Sequence, residues 1–286
     1  MNDALKYMVE LLDVDQIEPQ VFKGENQPVP HVFGGQVLGQ AVMAASKNVE
    51  NRELHSLHSY FLLAGDWEQP IRYEVENVRE GRSFSTRRVV AKQNERAIFI
   101  LSASFQVQES GLEHQHPELP DVPPPEDLPS DAEMFKKMAE GRPEMQRFKD
   151  RYNAIESRHV EPFNFFDRTA RAPIKHAWMK TASSLPDNLA LHQSLLAYMS
   201  DMGFMSTSLL PHAVSPREGV QAASLDHAMW FHDDFRVDDW LLFAQESPIA
   251  RGARGFVRGH FYTRDGRLVA SATQECLIRP VESKDT

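Results

Sequence analysis

GGQVLGQAVMAASKNV, residues 34–49, has the length of a helix but little of the bulk of one. Gly35, Gly39, Ala41, Ala44 and Ala45 are all small. An interior glycine costs a helix about 1 kcal/mol, so this segment alone in water would be weak. Small side chains also let other backbone approach closely. The segment therefore reads as a helix stabilised by what wraps it, and a curved sheet would do that.

Strand signals follow it. HSLHSYFLL (55–63), IRYEVENV (71–78), SFSTRRVVAKQ (83–93) and AIFILSASFQVQ (97–108) come in quick order, separated by short turn-like segments. In the last, Ile98 and Ile100 alternate with Phe99, Leu101, Ala103 and Phe105, the period-two pattern of a partly buried strand. Upstream, Leu5, Met8, Val9 and Leu12 recur at helical spacing and predict a helix over Asp3 to Leu12. Downstream, HQHPELPDVPPPEDLPS (114–130) carries six prolines, which rule out helix and inner strand. A polar helical segment, residues 131–152, comes next and is expected on the outside.

The plan then repeats. LPDNLALHQSLLAYMSDMGFM (185–205) reads as a helix, with Pro186 and Asp187 at its start. VQAASLDHAMWFH (220–232), WLLFAQES (240–247), ARGFVRGHFYTR (253–264) and LVASATQECLIR (268–279) read as strands. GRSFSTRRVVAKQN from Gly81 aligns without gaps on ARGFVRGHFYTRDG from Ala253, and SASFQ (102–106) answers SATQ (271–274). Order, spacing and element type agree between the halves, which points to two diverged copies of one helix-plus-sheet unit. A single large α+β domain with chance likeness between its halves is the other reading.

The totals set bounds. The 286 residues suit one large domain or two of about 140. With 41% hydrophobic and 25% charged residues, the supply for a core is ample. A net charge of -10 without a long basic run argues against nucleic-acid binding. The single cysteine, Cys276, allows no intrachain disulfide and fits a reducing compartment. The first residues lack a basic flank before an apolar block, no run reaches 18 apolar residues, and SKDT is not a peroxisomal SKL address. The expectation is a cytoplasmic protein without stable membrane insertion.

Several long segments together resemble the acyl-CoA thioesterase II family, the double hotdog thioesterases. They are HVFGGQVLGQA (31–41), HSLHSYFLLAGD (55–66), GRSFSTRRV (81–89), SDMGFM (200–205), LDHAMWFH (225–232), the run 240–271 and ATQE (272–275). The resemblance covers nearly the whole chain. It implies an α+β fold of two tandem hotdog units, each an antiparallel sheet wrapped around a central helix. The units are expected at 1–115 and 161–286, with a proline-rich connector and outer helix at 116–160. The implied activity is hydrolysis of medium- to long-chain fatty acyl-CoA thioesters to free acid and coenzyme A, without metal or other cofactor. Acyl-CoA is the implied partner, and a homo-oligomer is expected because hotdog sheets commonly pair edge to edge.

The family holds its attacking water with an aspartate, a threonine and a glutamine. By resemblance these fall on Asp201, Ser224 and Gln274. Serine at the threonine position keeps the hydroxyl and loses the methyl that helps fix the rotamer. Asp201 is notable without the resemblance, as the one charge in SLLAYMSDMGFMSTSLL (194–210). A carboxylate can take a proton from water while an amide oxygen and a hydroxyl align it. For the oxyanion, the natural donors are N–H groups at a helix start, and the Gly35 N–H is the expected one. His58 is expected to line the same cleft, as a donor or wall. His227 and His232 are spaced poorly for a metal and read as structural. Two rivals remain. A hotdog enoyl-CoA hydratase pairs an Asp with a nearby His, and none closely follows Asp201. A non-catalytic acyl-CoA binder would result if both copies had decayed; the first helix carries no acid matching Asp201.

Overall fold

The computed structural model describes residues 1–29, 31–140, 153–161, 169–214 and 219–281. Helix α1 (Asp3–Leu12) is followed by a short hairpin, β1 (Asp15–Glu18) and β2 (Val21–Gly24), and then by α2 (Gly34–Ser46). Four long strands complete the first half: β3 (Glu53–Phe61), β4 (Ile71–Glu80), β5 (Phe84–Gln93) and β6 (Arg96–Gln106). After α3 (Asp131–Ala139), the second half runs β7 (Ile155–His159), β8 (Ile174–Thr181), α4 (Leu189–Ser200), β9 (Val220–Ser224), β10 (Asp226–Phe231), β11 (Leu241–Arg251), β12 (Arg254–Thr263) and β13 (Leu268–Pro280). Residues 141–152 of the expected outer helix lie outside the described residues. The sheet of the second half begins at Ile155, inside the stretch read as connector.

The strands form one sheet in the order β1-β2-β4-β5-β6-β3-β10-β13-β12-β11-β8-β7. Read outward from the β3–β10 seam, the halves have the same order: a strand after the helix, then the last, the third and the second strand of the meander, then a hairpin. All pairings are antiparallel. The gapless alignment of the sequence holds in space as well. Ser85, Arg87 and Val89 are buried on β5, and their counterparts Val257, Gly259 and Phe261 are buried on β12. The chain is therefore two hotdog units joined edge to edge, as the repeat predicted.

One face of this curved sheet wraps α2 and α4. Every residue from Gly35 to Ala45 is buried, as is every residue from Leu191 to Ser200. A helix that is apolar or small all round belongs inside. The two helices run antiparallel with their backbones nearly touching. A Cβ on Gly35 would lie 2.6 Å from Tyr198 O, and one on Gly39 would lie 3.0 Å from Ser194 O. Ser194 Oγ fastens the crossing by donating to Gly39 O at 2.9 Å. The buried amide of Gln40 on α2 is satisfied: it donates to Leu11 O and Glu25 O and accepts from the Tyr73 hydroxyl at 2.6 Å.

The proline-rich segment docks on the outer face of the second unit. Leu119, Val122 and Leu128 pack against Trp178, Leu242 and Tyr262, and the Trp178 indole donates to Pro123 O at 2.9 Å. The Gln115 amide pairs with Gly266 O and Leu268 N. It covers an apolar outer patch that would otherwise meet water.

Candidate active site

α4 starts at Leu189, later than the Pro186 or Asp187 start that the sequence suggested. The side chain of Asn188 caps it, accepting from Leu191 N, rather than Pro186 or Asp187. Its other end stops at Asp201, the C-cap, which is 8% exposed. The chain then turns at Gly203, whose φ of +70° favours glycine. Phe204 is fully buried against the rings of Phe243 and His227 and anchors the turn. Lys175 on β8 holds it from below, its Nζ donating to Gly203 O and to Ser206 Oγ. Burial pushes this ammonium down to about 8, against the pull of Asp131 and Glu161.

A carboxylate at a helix C-terminus is poorly placed against its own helix dipole. The antiparallel arrangement corrects this, because the end of α4 meets the start of α2. A Cβ on Gly34 would lie 2.8 Å from Asp201 Oδ2 and 3.1 Å from the Phe61 ring. Asp201 therefore faces the positive end of the neighbouring helix, where the first-turn N–H groups have no intrahelical acceptor. Gly35 sits in that turn. The carboxylate also lies near Cys276, whose thiol is pushed up by burial first, with Glu275 and Asp201 adding to it.

Gln274 is fully buried on β13, and with Ala270, Ala272 and Cys276 it forms the inward row of that strand. Its Nε2 donates to Ser224 Oγ at 2.6 Å. Its Oε1 lies 3.1 Å from His227 Nδ1, and His227 Nε2 lies 2.9 Å from Ser200 Oγ, beside Asp201. Ser224 and His227 are an odd number of residues apart, so on a regular strand they would face opposite ways. A bulge resolves this. Ser224 pairs with Cys276, but Ala228 pairs with Thr273, so the register slips by one between β9 and β10. Both side chains then meet Gln274 on the inner face.

The structure thus joins Gln274 directly to Ser224, and through His227 and Ser200 to the end of the helix that carries Asp201. Gly35 lies at the helix start that meets the same carboxylate. His58 does not join them. It is exposed on the outer face of β3, its ring edge-on to Trp230 at 5.3 Å, because β3 turns Leu57 and Ser59 inward. His227, set aside from the sequence as merely structural, is fully buried at the centre of the polar chain. Burial pushes its ring down to about 4, opposed by the hydrogen bond to Gln274 Oε1. His232 points the other way, toward Ser271. Among the described residues no cluster of three or more His, Cys, Asp or Glu is arranged to hold a metal ion, and no helix is long and apolar enough to cross a membrane.

Among the described residues the first unit has no matching site. Lys47 caps α2 where Asp201 caps α4, and it pairs with Asp13 and Val14 O. Ala103 pairs with Arg87 as Ala272 pairs with Gly259. Two residues further on, Phe105 therefore stands in the place of Gln274.

The fold and this asymmetric site define a double hotdog protein with one polar cluster at its helix–helix junction. Residues 23–106 match the model described as acyl-CoA thioesterase N-terminal domain, and residues 146–277 match that of acyl-CoA thioesterase. The chain is 40% identical to acyl-CoA thioesterase 2 of Haemophilus influenzae, over 98% of this chain and 99% of that one. It is 39% identical to acyl-coenzyme A thioesterase 8 of Mus musculus, over 95% of this chain and 88% of the relative. The crystal structure of an acyl-CoA thioesterase II from Mycobacterium marinum superposes with a TM-score of 0.80 at 35% identity, covering 98% of this chain and all of that one. The chain belongs to the acyl-CoA thioesterase II family. It is a thioester hydrolase acting on acyl-CoA.

Proposed function

We propose that Asp201, Ser224 and Gln274 hold and activate the water that attacks the thioester carbonyl. Asp201 takes a proton from the water as its oxygen bonds to the carbonyl carbon. The Gly35 N–H meets the oxygen that becomes negative. Collapse breaks the carbon–sulfur bond, and the thiolate of coenzyme A recovers the proton from Asp201. The observation that carries this reading is the position of Asp201: a nearly buried carboxylate pressed against the first glycine of the neighbouring helix. Neither a covalent intermediate nor a metal is needed.

The substrates assigned here are medium- to long-chain fatty acyl-CoAs. Val32, Phe33, Phe61 and Met202 are partly buried apolar side chains packed on the core around this junction, and they give an acyl chain an apolar rim. The working form is a homo-oligomer in the cytoplasm, and sedimentation that finds only monomer removes the first half of that statement. Thiol release from saturated acyl-CoAs of increasing length tests the substrate assignment. The expected profile peaks at medium to long chains; a peak at acetyl-CoA contradicts it. A trans-2-enoyl-CoA run in parallel is expected to release thiol, not to lose its enone absorption first.

A further inference from the structure

Gln274 contributes an amide, and an amide can serve a site from either end. Its oxygen would accept a proton from water. Its nitrogen would donate. The sequence alone favoured the oxygen. In the folded chain that oxygen faces the ring of His227, 3.1 Å away, and the nitrogen faces Ser224 Oγ, 2.6 Å away.

We infer that His227 is a positioning residue that sets the polarity of this site, holding the Gln274 oxygen so that Gln274 and Ser224 act as donors. With Oε1 toward the ring, Nδ1 carries the proton and Nε2 is the bare nitrogen. The Ser200 hydroxyl lies 2.9 Å from Nε2 and donates to it, in place of its alternative acceptors, Ala197 O at 2.8 Å and Met229 Sδ at 3.2 Å. Nε2–H of Gln274 then occupies a lone pair of Ser224, which turns the serine's own hydrogen outward. The direction runs one way: His227 Nδ1–H to Gln274 Oε1, Gln274 Nε2–H to Ser224 Oγ, Ser224 O–H into the site. Such a chain polarises its members together. It offers hydrogens to the oxygen of the water or of the acyl group and leaves Asp201 to accept the water's proton.

Burial supports the assignment. His227 is fully buried and its ring is pushed down to about 4, so it stays neutral through the physiological range and has a single N–H to place. The β-bulge between β9 and β10 brings Ser224 and His227 to the same side of Gln274, so the two ends of the amide have different partners. Phe204 packs edge-on against the ring at 5.8 Å and fixes its plane.

The inference rests on the hydrolytic site proposed above, and its test is built to fail separately from it. Wild type, Gln274→Glu, His227→Leu, His227→Asn and Asp201→Asn are compared as full-length proteins for kcat, KM and thermal midpoint. In Gln274→Glu, a carboxylate still accepts from His227 but has no hydrogen for Ser224; kcat is expected to fall roughly a hundredfold, in the range of a misplaced catalytic group. His227→Leu is expected to lose kcat to a similar extent with KM changed less than about twofold. His227→Asn, whose amide N–H stands near the place of Nδ1–H, is expected to recover about tenfold of that loss. A full wild-type kcat in Gln274→Glu, where the carboxylate would accept the serine hydrogen, overturns the polarity. So does equal loss in the Leu and Asn variants at equal midpoints. Nitrogen-15 spectra of the wild-type ring, assigned against His227→Asn, give a reading independent of activity: the Nδ1–H tautomer is expected, and the Nε2–H tautomer overturns the inference. If Asp201→Asn hydrolyses at the wild-type rate, the water-activation reading falls while the tautomer result still judges the polarity.

Discussion

Gly35→Ala sets two well-measured effects against each other. Replacing glycine by alanine inside a helix stabilises it by about 1 kcal/mol when nothing else changes. At Gly35 the new Cβ would sit 2.6 Å from Tyr198 O, where ordinary contact begins near 3.4 Å, and 2.5 Å from the Phe33 ring. The ring can swing. The Tyr198 oxygen is backbone in the last turn of a buried helix, so the helices themselves must part. Overpacking of this kind costs about 1–3 kcal/mol. Because backbone meets backbone, the upper part of that range applies, and the net loss is about 1–2 kcal/mol. For a chain of this size that lowers the thermal midpoint by about 2–3 °C. Separation of the helix ends also carries Asp201 away from the start of α2, so kcat should fall with the midpoint. Gly39→Ala is the internal comparison. Its nearest neighbours would be 3.0 Å away, one of them the flexible end of Leu12, so the loss should be smaller. Differential scanning fluorimetry and thiol-release kinetics on both variants decide the matter. A higher midpoint for Gly35→Ala than for wild type would mean that helix propensity governs, and that the close crossing described here is not what keeps position 35 a glycine.

Two further outcomes follow from the same geometry. Ser224→Ala removes the acceptor for Gln274 and should cost about tenfold or more in kcat, whereas Ser224→Thr should keep activity near wild type; matched losses in both would argue against a role for the hydroxyl. Lys175 is held near 8 by burial, well under its usual value of 10.5. A lowered lysine pKa means that the unfolded chain binds the extra proton between about pH 8 and 10.4, so this residue's contribution to stability rises with pH through that window. Between pH 7.5 and 9.5 the rise, read from urea midpoints, is on the order of 2 kcal/mol, and Lys175→Met should flatten it.

Much of the fold was legible because the signals were local. Helix α1 and the eight long strands of the two meanders follow from periodicity and turn residues, and the small-residue run at 34–46 announced a wrapped helix. β8 was hidden because its pattern is inverted: Ile174 faces water while Lys175 is buried under the Gly203 turn, so the alternation points the wrong way. β1 and β2 are four residues each, too short to show a period. Asp201, Ser224 and Gln274 could be named from resemblance, but the partnership of Gln274 with His227 could not. It depends on a one-residue bulge after Ser224, and sequence periodicity assumes that no such slip occurs. His58 was misplaced for the opposite reason. The regular alternation of β3 puts it outside, and only the position of the helices fixes which face is inside.

The central claim is that Asp201 activates the attacking water. Thiol release from a medium-chain acyl-CoA should be measured for wild type and Asp201→Asn side by side, with thermal midpoints to show that both are folded. The account predicts a fall in kcat of roughly a hundredfold or more, the range for losing a general base. An Asp201→Asn enzyme that is folded and hydrolyses at the wild-type rate would contradict it.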